Sequence, residues 1–124
     1  MNGKDAVGRY GERVAVRHLQ SAGWTVIARN WRSPVRECPG ELDVVARDRT
    51  ALVVVEVKTR RGRRCGTAVE AVTPAKLRRL RRLAAVWLST CRGGDPPDEV
   101  RVDVVAVHLG HAGAPRVEHL RGVG

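Results

Sequence analysis

Apolar side chains recur at helical spacing near the start of the chain, Val7, Ala15, Leu19 and Ala22, which predicts a helix over Ala6–Ala22 stopped by Gly23. β-branched and aromatic residues favour a first strand over Trp24–Trp31, and Arg32–Pro39, with two prolines, reads as a loop. Two further strands follow, Glu41–Arg47 and the almost purely aliphatic Leu52–Lys58, joined by the polar turn Asp48-Arg49-Thr50-Ala51. Thr73-Pro74 opens a second helix, with Thr as N-cap and Pro at the first helical position. Its apolar stripe is Leu77, Leu80, Ala84, Trp87, Leu88 and Cys91, and it is expected to end near Gly93-Gly94. Glu99–Leu109 alternates as a strand, with Arg101, Asp103, Val105 and Val107 on one face, and Arg116–Leu120 is a short edge strand. Helix, three strands, helix, strand and short strand imply an α/β sandwich around a mixed sheet.

The strand pair Glu41–Lys58 carries the chemistry. Residues two apart on a strand share a face, so Glu56 and Lys58 project together while Val55 and Val57 face away. A symmetric closure over the turn sets Asp43 opposite Glu56 and Glu41 opposite Lys58, with Cβ atoms about 5 Å apart. Two bare carboxylates at that distance repel, and a hard divalent cation such as Mg²⁺ suits such a site better than one ammonium does. A slip of one residue would turn Asp43 to the other face. A plain salt bridge between Glu56 and Lys58, closing the strand end, fits the same residues equally well. Glu12 borders the apolar stripe of the first helix: it is either an exposed residue near the N-terminus favoured by the helix dipole or an outer member of the acidic cluster.

Length, charge and cysteines narrow the reading. A chain of 124 residues is enough for one domain with one core. No apolar run reaches the ~20 residues of a membrane span, and no signal-peptide pattern opens the chain, so a cytoplasmic location is expected. Cys38, Cys65 and Cys91 are odd in number and widely spaced, which argues against a disulfide framework and a zinc site. His18, His108, His111 and His119 are scattered, more in the manner of structural residues than of ligands.

A net charge of +10 attracts polyanions, and nucleic acid, with DNA expected, is the leading partner. The excess gathers in two places. Arg60, Arg61, Arg63 and Arg64 follow Lys58 in a segment with two glycines, read as a loop at the mouth of the carboxylate site. Lys76, Arg78, Arg79, Arg81 and Arg82 decorate the first half of the second helix. Charge runs are often merely solvated, but their position beside Lys58 favours phosphate contacts. Trp24 and Trp31, flanking a strand, read as core rather than as platforms for bases.

Asp43 followed by Glu56-Val57-Lys58 matches the acidic residue and Glu-x-Lys of the PD-(D/E)XK, or restriction-endonuclease-like, nuclease superfamily. More specific is the series Gly8-Arg9-Tyr10-Gly11-Glu12, Asn30, Gly40-Glu41-Leu42-Asp43, Val55-Glu56-Val57-Lys58-Thr59-Arg60, Gly66, Lys76 and Arg101-Val102-Asp103. It resembles the YraN-like family of small uncharacterised bacterial proteins, close to archaeal Holliday-junction resolvases, and covers nearly the whole chain. The resemblance implies an α-β-β-β-α-β core and metal-dependent endonuclease activity on DNA. It further implies Mg²⁺ or Mn²⁺ held by Asp43, Glu56 and the carbonyl of Val57, with Glu12 as an outer ligand and Lys58 orienting the attacking water. Analogy with resolvases adds a homodimer, since cutting a symmetric junction takes two sites. A binding module that keeps the acids without cutting is the rival expectation.

Overall fold

In a computed structural model that describes residues 5–61, 72–91, 94–110 and 113–123, the elements follow the expected order. Helix α1 (Ala6–Ser21) is capped by Asp5, whose Oδ1 accepts from the Gly8 N–H at 2.8 Å, and its end turns through Gly23 at φ +89°. Strands β1 (Thr25–Arg32), β2 (Glu41–Asp48) and β3 (Ala51–Arg61) form an antiparallel meander. Helix α2 (Pro74–Thr90) crosses over to β4 (Glu99–Leu109), parallel to β3, and β5 (Arg116–Leu120) closes the far edge antiparallel to β4.

The sheet order is β1-β2-β3-β4-β5, with one helix on each face. Val16 and Leu19 of α1 pack on Val44, Val53, Val55 and Val105. Leu80, Leu83 and Trp87 of α2 pack on Leu42, Val54 and Val102, and Trp31 meets Trp87 edge to face at 5.4 Å. Trp24, just before β1, is buried, and Trp31, near its end, is half-buried against the α2 cluster, so both tryptophans pack on the core. This layered α/β arrangement is consistent with a restriction-endonuclease-like fold. Among the described residues no helix is long and apolar enough to cross a membrane.

Three boundaries differ from the periodicity. Strand β3 runs on to Arg61 because its parallel ladder with β4 continues through Arg60↔His108 and Arg61↔Leu109, so Arg60 and Arg61 are strand rather than loop residues. Helix α2 stops at Thr90, short of the expected glycines: the Ser89 and Thr90 hydroxyls both donate to the Val86 carbonyl, a local bond that competes with helix continuation. The β2–β3 turn tightens to Arg49-Thr50, with Asp48 already paired to Ala51 and Arg49 at φ +57°. Arg63, Arg64, Cys65, Gly66, Gly93 and His111 lie outside the described residues.

One glycine sets how closely α1 sits on the sheet. A β-carbon on Gly11 would overlap Thr59 Oγ1 and lie 2.9 Å from Thr59 Cβ. Alanine there gains about 1 kcal/mol of helix propensity, but forcing α1 off β3 costs more. Gly11→Ala is therefore expected to lower unfolding stability by a net ~1–2 kcal/mol in urea titration. A stability gain would mean that α1 has room to spare.

Candidate active site

The acids meet where β2 and β3 part. The ladder between them has the register expected of a symmetric turn, and its last pair is Val44↔Val55. Just beyond it Asp43 Oδ2 accepts from the Val57 N–H at 3.0 Å, a side chain taking the place of a ladder carbonyl. That bond anchors Asp43 to β3 where alternation fails: Leu42 and Val45, three residues apart, both face α2. The break lies opposite Asn30, whose φ of +51° kinks β1 between Arg29↔Val44 and Trp31↔Leu42.

Glu56 is the buried acid, 6% exposed. Burial first and the adjacent negative charge of Asp43 second push its carboxyl above the usual range, against the pull of Lys76. The two carboxylates are thus neighbours, as the register argument requires. Glu41 lines the same open hollow, and its Oε1 is buried without a hydrogen-bond partner.

Two lysines serve Glu56. Lys58 Nζ lies 3.7 Å from Glu56 Oε2, and Lys76, from the first turn of α2, forms a closer ion pair with the same oxygen. Thr73, capping α2 through a 3.1 Å bond to the Lys76 N–H, sets the start of the helix over the strand end. Burial, joined by the proximity of Lys76, holds Lys58 below the usual lysine range. Burial alone would depress Lys76 as well, but the Glu56 carboxylate outweighs it and holds Lys76 high. Lys76 is therefore a committed counter-ion, whereas Lys58 is the more easily deprotonated amine. Position 76 on a basic helix gave no sign of this pairing, which only the docking of α2 creates.

Glu12 is 2% exposed, which removes the reading of an exposed residue near the helix start. Asn30 Nδ2 donates to its Oε1 at 2.6 Å, and it lines a small hollow with Gly8, Val57 and Thr59. This is the α1 face of β3, whereas Glu56 and Lys58 face α2. Among the described residues no group of three or more His, Cys, Asp or Glu side chains is placed to hold a metal ion. Of the other basic residues, Arg79 joins the hollow of Glu56 and Lys58, and Arg78, Arg81 and Arg82 are exposed along α2. Arg61 is exposed, and Arg60 is half-buried with a partnerless Nε.

A second polar cluster sits on the α1 side of the sheet. Asp103, fully buried, accepts from Arg101 Nε at 2.9 Å, the Gly122 N–H at 2.9 Å and His119 Nε2 at 2.8 Å. Burial would raise its carboxyl, but these donors outweigh it and hold Asp103 below the usual range. His119 Nδ1 and His18 Nε2 share a 3.1 Å hydrogen bond, and Arg101 and Arg121 cover the Trp24 ring. The Asp–Arg pairing was legible in the strand pattern; the two histidines, 101 residues apart, were not.

Burial, and then the charges of His119 and Arg121, lower His18 from its ordinary 6.5. Above pH 6.5 neither the folded nor the unfolded chain protonates it, and its contribution to stability is complete. Below that, the unfolded chain takes a proton that the folded cluster refuses, so stability falls with pH until folded His18 itself protonates. Thermal unfolding from pH 7.5 to 5 is expected to show this decline, flattened in His18→Gln. An equal decline in the variant would place the titration elsewhere.

Comparison with known proteins bears on the whole chain. Residues 11–107 match the model of a family described as "Uncharacterised protein family UPF0102". A UPF0102 protein of Kineococcus radiotolerans is 59% identical over 97% of this chain and 94% of its own length. One from Beutenbergia cavernae is 58% identical over the full length of both, and one from Streptomyces coelicolor 55% identical over 99% of this chain and 92% of its own.

Proposed function

The chain belongs to the uncharacterised protein family UPF0102, the YraN-like family to which its motifs point, and for this member we propose metal-dependent hydrolysis of phosphodiesters in DNA, with branched or Holliday-junction structures as the substrate class. The observation that carries the reading is the pair of neighbouring carboxylates, Asp43 and Glu56, facing two lysines in an open hollow under a basic helix. Perturbed acids and amines gathered in one cleft are a mark of chemistry more than of stability.

The donor chemistry suits a hard cation. Asp43 and Glu56 repel one another, and Glu41 Oε1 lacks a donor, so a divalent ion would relieve all three. Asp43, Glu56 and the Val57 carbonyl would hold Mg²⁺ or Mn²⁺, with Glu12 behind them. Such an ion, when bound, polarises a phosphoryl oxygen and acidifies a water. The chain's own residues do the rest. Arg79 and the outer arginines of α2 hold the phosphodiester against the hollow; Lys58, in its neutral form, takes the proton of the attacking water at Nζ as the P–O bond forms, and the departing oxygen is protonated from solvent. Lys76 favours the ionised form of Glu56 against burial and the charge of Asp43.

The test is cleavage of end-labelled branched, flapped and linear DNA with Mg²⁺ or Mn²⁺, comparing wild type with Asp43→Ala. Cutting that survives the substitution undiminished belongs to a contaminant or another site. A second reading, a binding module without catalysis, is favoured by Lys76 already neutralising Glu56 and by the lack of a three-donor group among the described residues. Under that reading Asp43→Ala binds DNA as wild type does, and the relief of carboxylate repulsion offsets part of the loss of its bond to the Val57 N–H.

A further inference from the structure

We propose that Arg60 and His108 form a subsite for a second phosphate of the bound strand, beside the hollow of Glu56 and Lys58 and on the same face of the sheet; this rests on the reading of the protein as one that acts on nucleic acid. Among the described residues three buried side-chain polar atoms lack a hydrogen-bond partner, Glu41 Oε1, Arg60 Nε and His108 Nδ1. The first belongs to the hollow already described. The other two are brought together by the β3–β4 ladder, which pairs Arg60 with His108. Buried polar atoms without partners are rare and costly in folded proteins. Two at one position of a ladder leave a place for a ligand that bonds to both.

Strand parity fixes the face. Leu52 and Val54 pack against α2, and Glu56, Lys58 and Arg60 continue the same alternation without a register shift. On β4 the matching series is Val102, Val104, Ala106 and His108, whereas Val105, Val107 and Leu109 face α1. Same-face neighbours on a strand stand about 6.6 Å apart, so Arg60 lies one such step beyond Lys58 and two beyond Glu56. A stacked strand rises ~3.4 Å per nucleotide, which sets the second phosphate about two nucleotides from the one at Lys58.

The donors suit a phosphate. The Arg60 guanidinium is a permanent cation. His108 Nε2 lies 3.4 Å from Glu118 Oε1, and because a carboxylate only accepts, Nε2 carries the proton and Nδ1 is the nitrogen left over. A neutral ring offers Nδ1 only as an acceptor. The imidazolium has an N–H on each side, one for Glu118 and one for the phosphate. The charged groups around the ring are Arg60 on β3, with Lys58 one step along, and Glu118 and Arg116 on β5; Lys76 of α2 is taken up by Glu56. Cations outnumber the one carboxylate, so an anion is welcome there. The His108 side chain is 12% exposed and Glu118 42%, which puts the pair at the rim of the sheet, within reach of solvent.

The experiment records the imidazole NMR signals of the wild-type protein at pH 6 and low salt while a blunt DNA duplex is added, the His108 signal being assigned by its loss in His108→Gln. That signal is expected to move towards the imidazolium position, while those of His18 and His119, on the other side of the sheet, stay. Inorganic phosphate is expected to move it the same way at higher concentration. In duplex binding followed by fluorescence anisotropy, Arg60→Met combined with His108→Gln is expected to lower the slope of log affinity on log salt by about 0.9, the loss of one phosphate contact. His108→Gln alone is expected to weaken binding at least ~5-fold at pH 6 and not at pH 8. Circular dichroism verifies that the variants fold. A His108 signal that moves with inorganic phosphate but not with the duplex, or with neither, overturns the inference, as does an unchanged slope. If in that case Arg79→Ala still weakens duplex binding, the nuclease reading stands without it. If the wild-type protein binds no duplex at low salt, both fall.

Discussion

Lys58→Met is expected to slow DNA cleavage at least ~100-fold at saturating substrate while leaving the protein folded, because a positioned acid–base group contributes about 10²–10⁴ in rate. The neighbouring Lys76→Met separates this role from simple charge balance. Both amines contact the same oxygen of Glu56, yet their environments pull them in opposite directions. Lys58 is held below the usual range by burial and by Lys76, which eases transfer of its proton near neutrality. Lys76 is held high by the carboxylate and keeps its proton. Losing Lys76 leaves buried Glu56 with the longer 3.7 Å partner alone, so the expected cost is stability, about 1–2 kcal/mol, with a smaller loss of rate. Single-turnover kinetics and urea unfolding on the two variants measure both quantities. If Lys76→Met loses the rate and Lys58→Met keeps it, the roles are reversed. If both keep it, the salt-bridge reading of this strand end prevails.

Asp103→Ala is expected to cost about 3–5 kcal/mol of unfolding free energy, the range for breaking a buried ion pair and leaving its partners unmatched. Set against a typical domain stability of roughly 5–15 kcal/mol, this removes about a fifth or more. The size follows from what one carboxylate holds. Arg101, held by Asp103, also reaches Asp48 at 3.2 Å and so ties β4 to the end of β2. Through His119 and His18 Asp103 ties β5 to α1, and through the Gly122 N–H it orders the chain after β5. Asp103→Asn keeps the shape and part of the bonding, and is expected to lose about half as much. Urea midpoints at unchanged m-value check both. The cluster lies on the opposite side of the sheet from Glu56, so in whatever fraction remains folded the cleavage rate is expected to hold.

Much of the arrangement can be traced to local pattern. The aliphatic run Leu52–Val55 and the short polar turn make a hairpin whose parity places Asp43 against Glu56, and the ladder keeps that parity to Val44↔Val55. Thr73-Pro74 caps α2 as its chemistry requires. Asp103 and Arg101, two apart on one strand, pair as neighbours of opposite charge on one face should. In each case the partners are close in sequence or related by a single turn, so periodicity alone sets their geometry.

Other contacts depend on where the helices come to rest. Lys76 reaches Glu56 because Leu80 and Leu83 seat the first turns of α2 over the end of β3, a choice made by packing on Leu42 and Val54. Glu12 lies on the α1 face, held by an asparagine whose left-handed backbone nothing in the strand pattern foretells. The two histidines meet only because β5 pairs beside β4 while the end of α1 lies above them. Periodicity says which face of an element is apolar, but how a helix slides and turns over a sheet is settled by side-chain volumes from several strands at once. That is why the carboxylate pair and Lys58 beside it are written in the order of residues, and the second counter-ion, Lys76, is not.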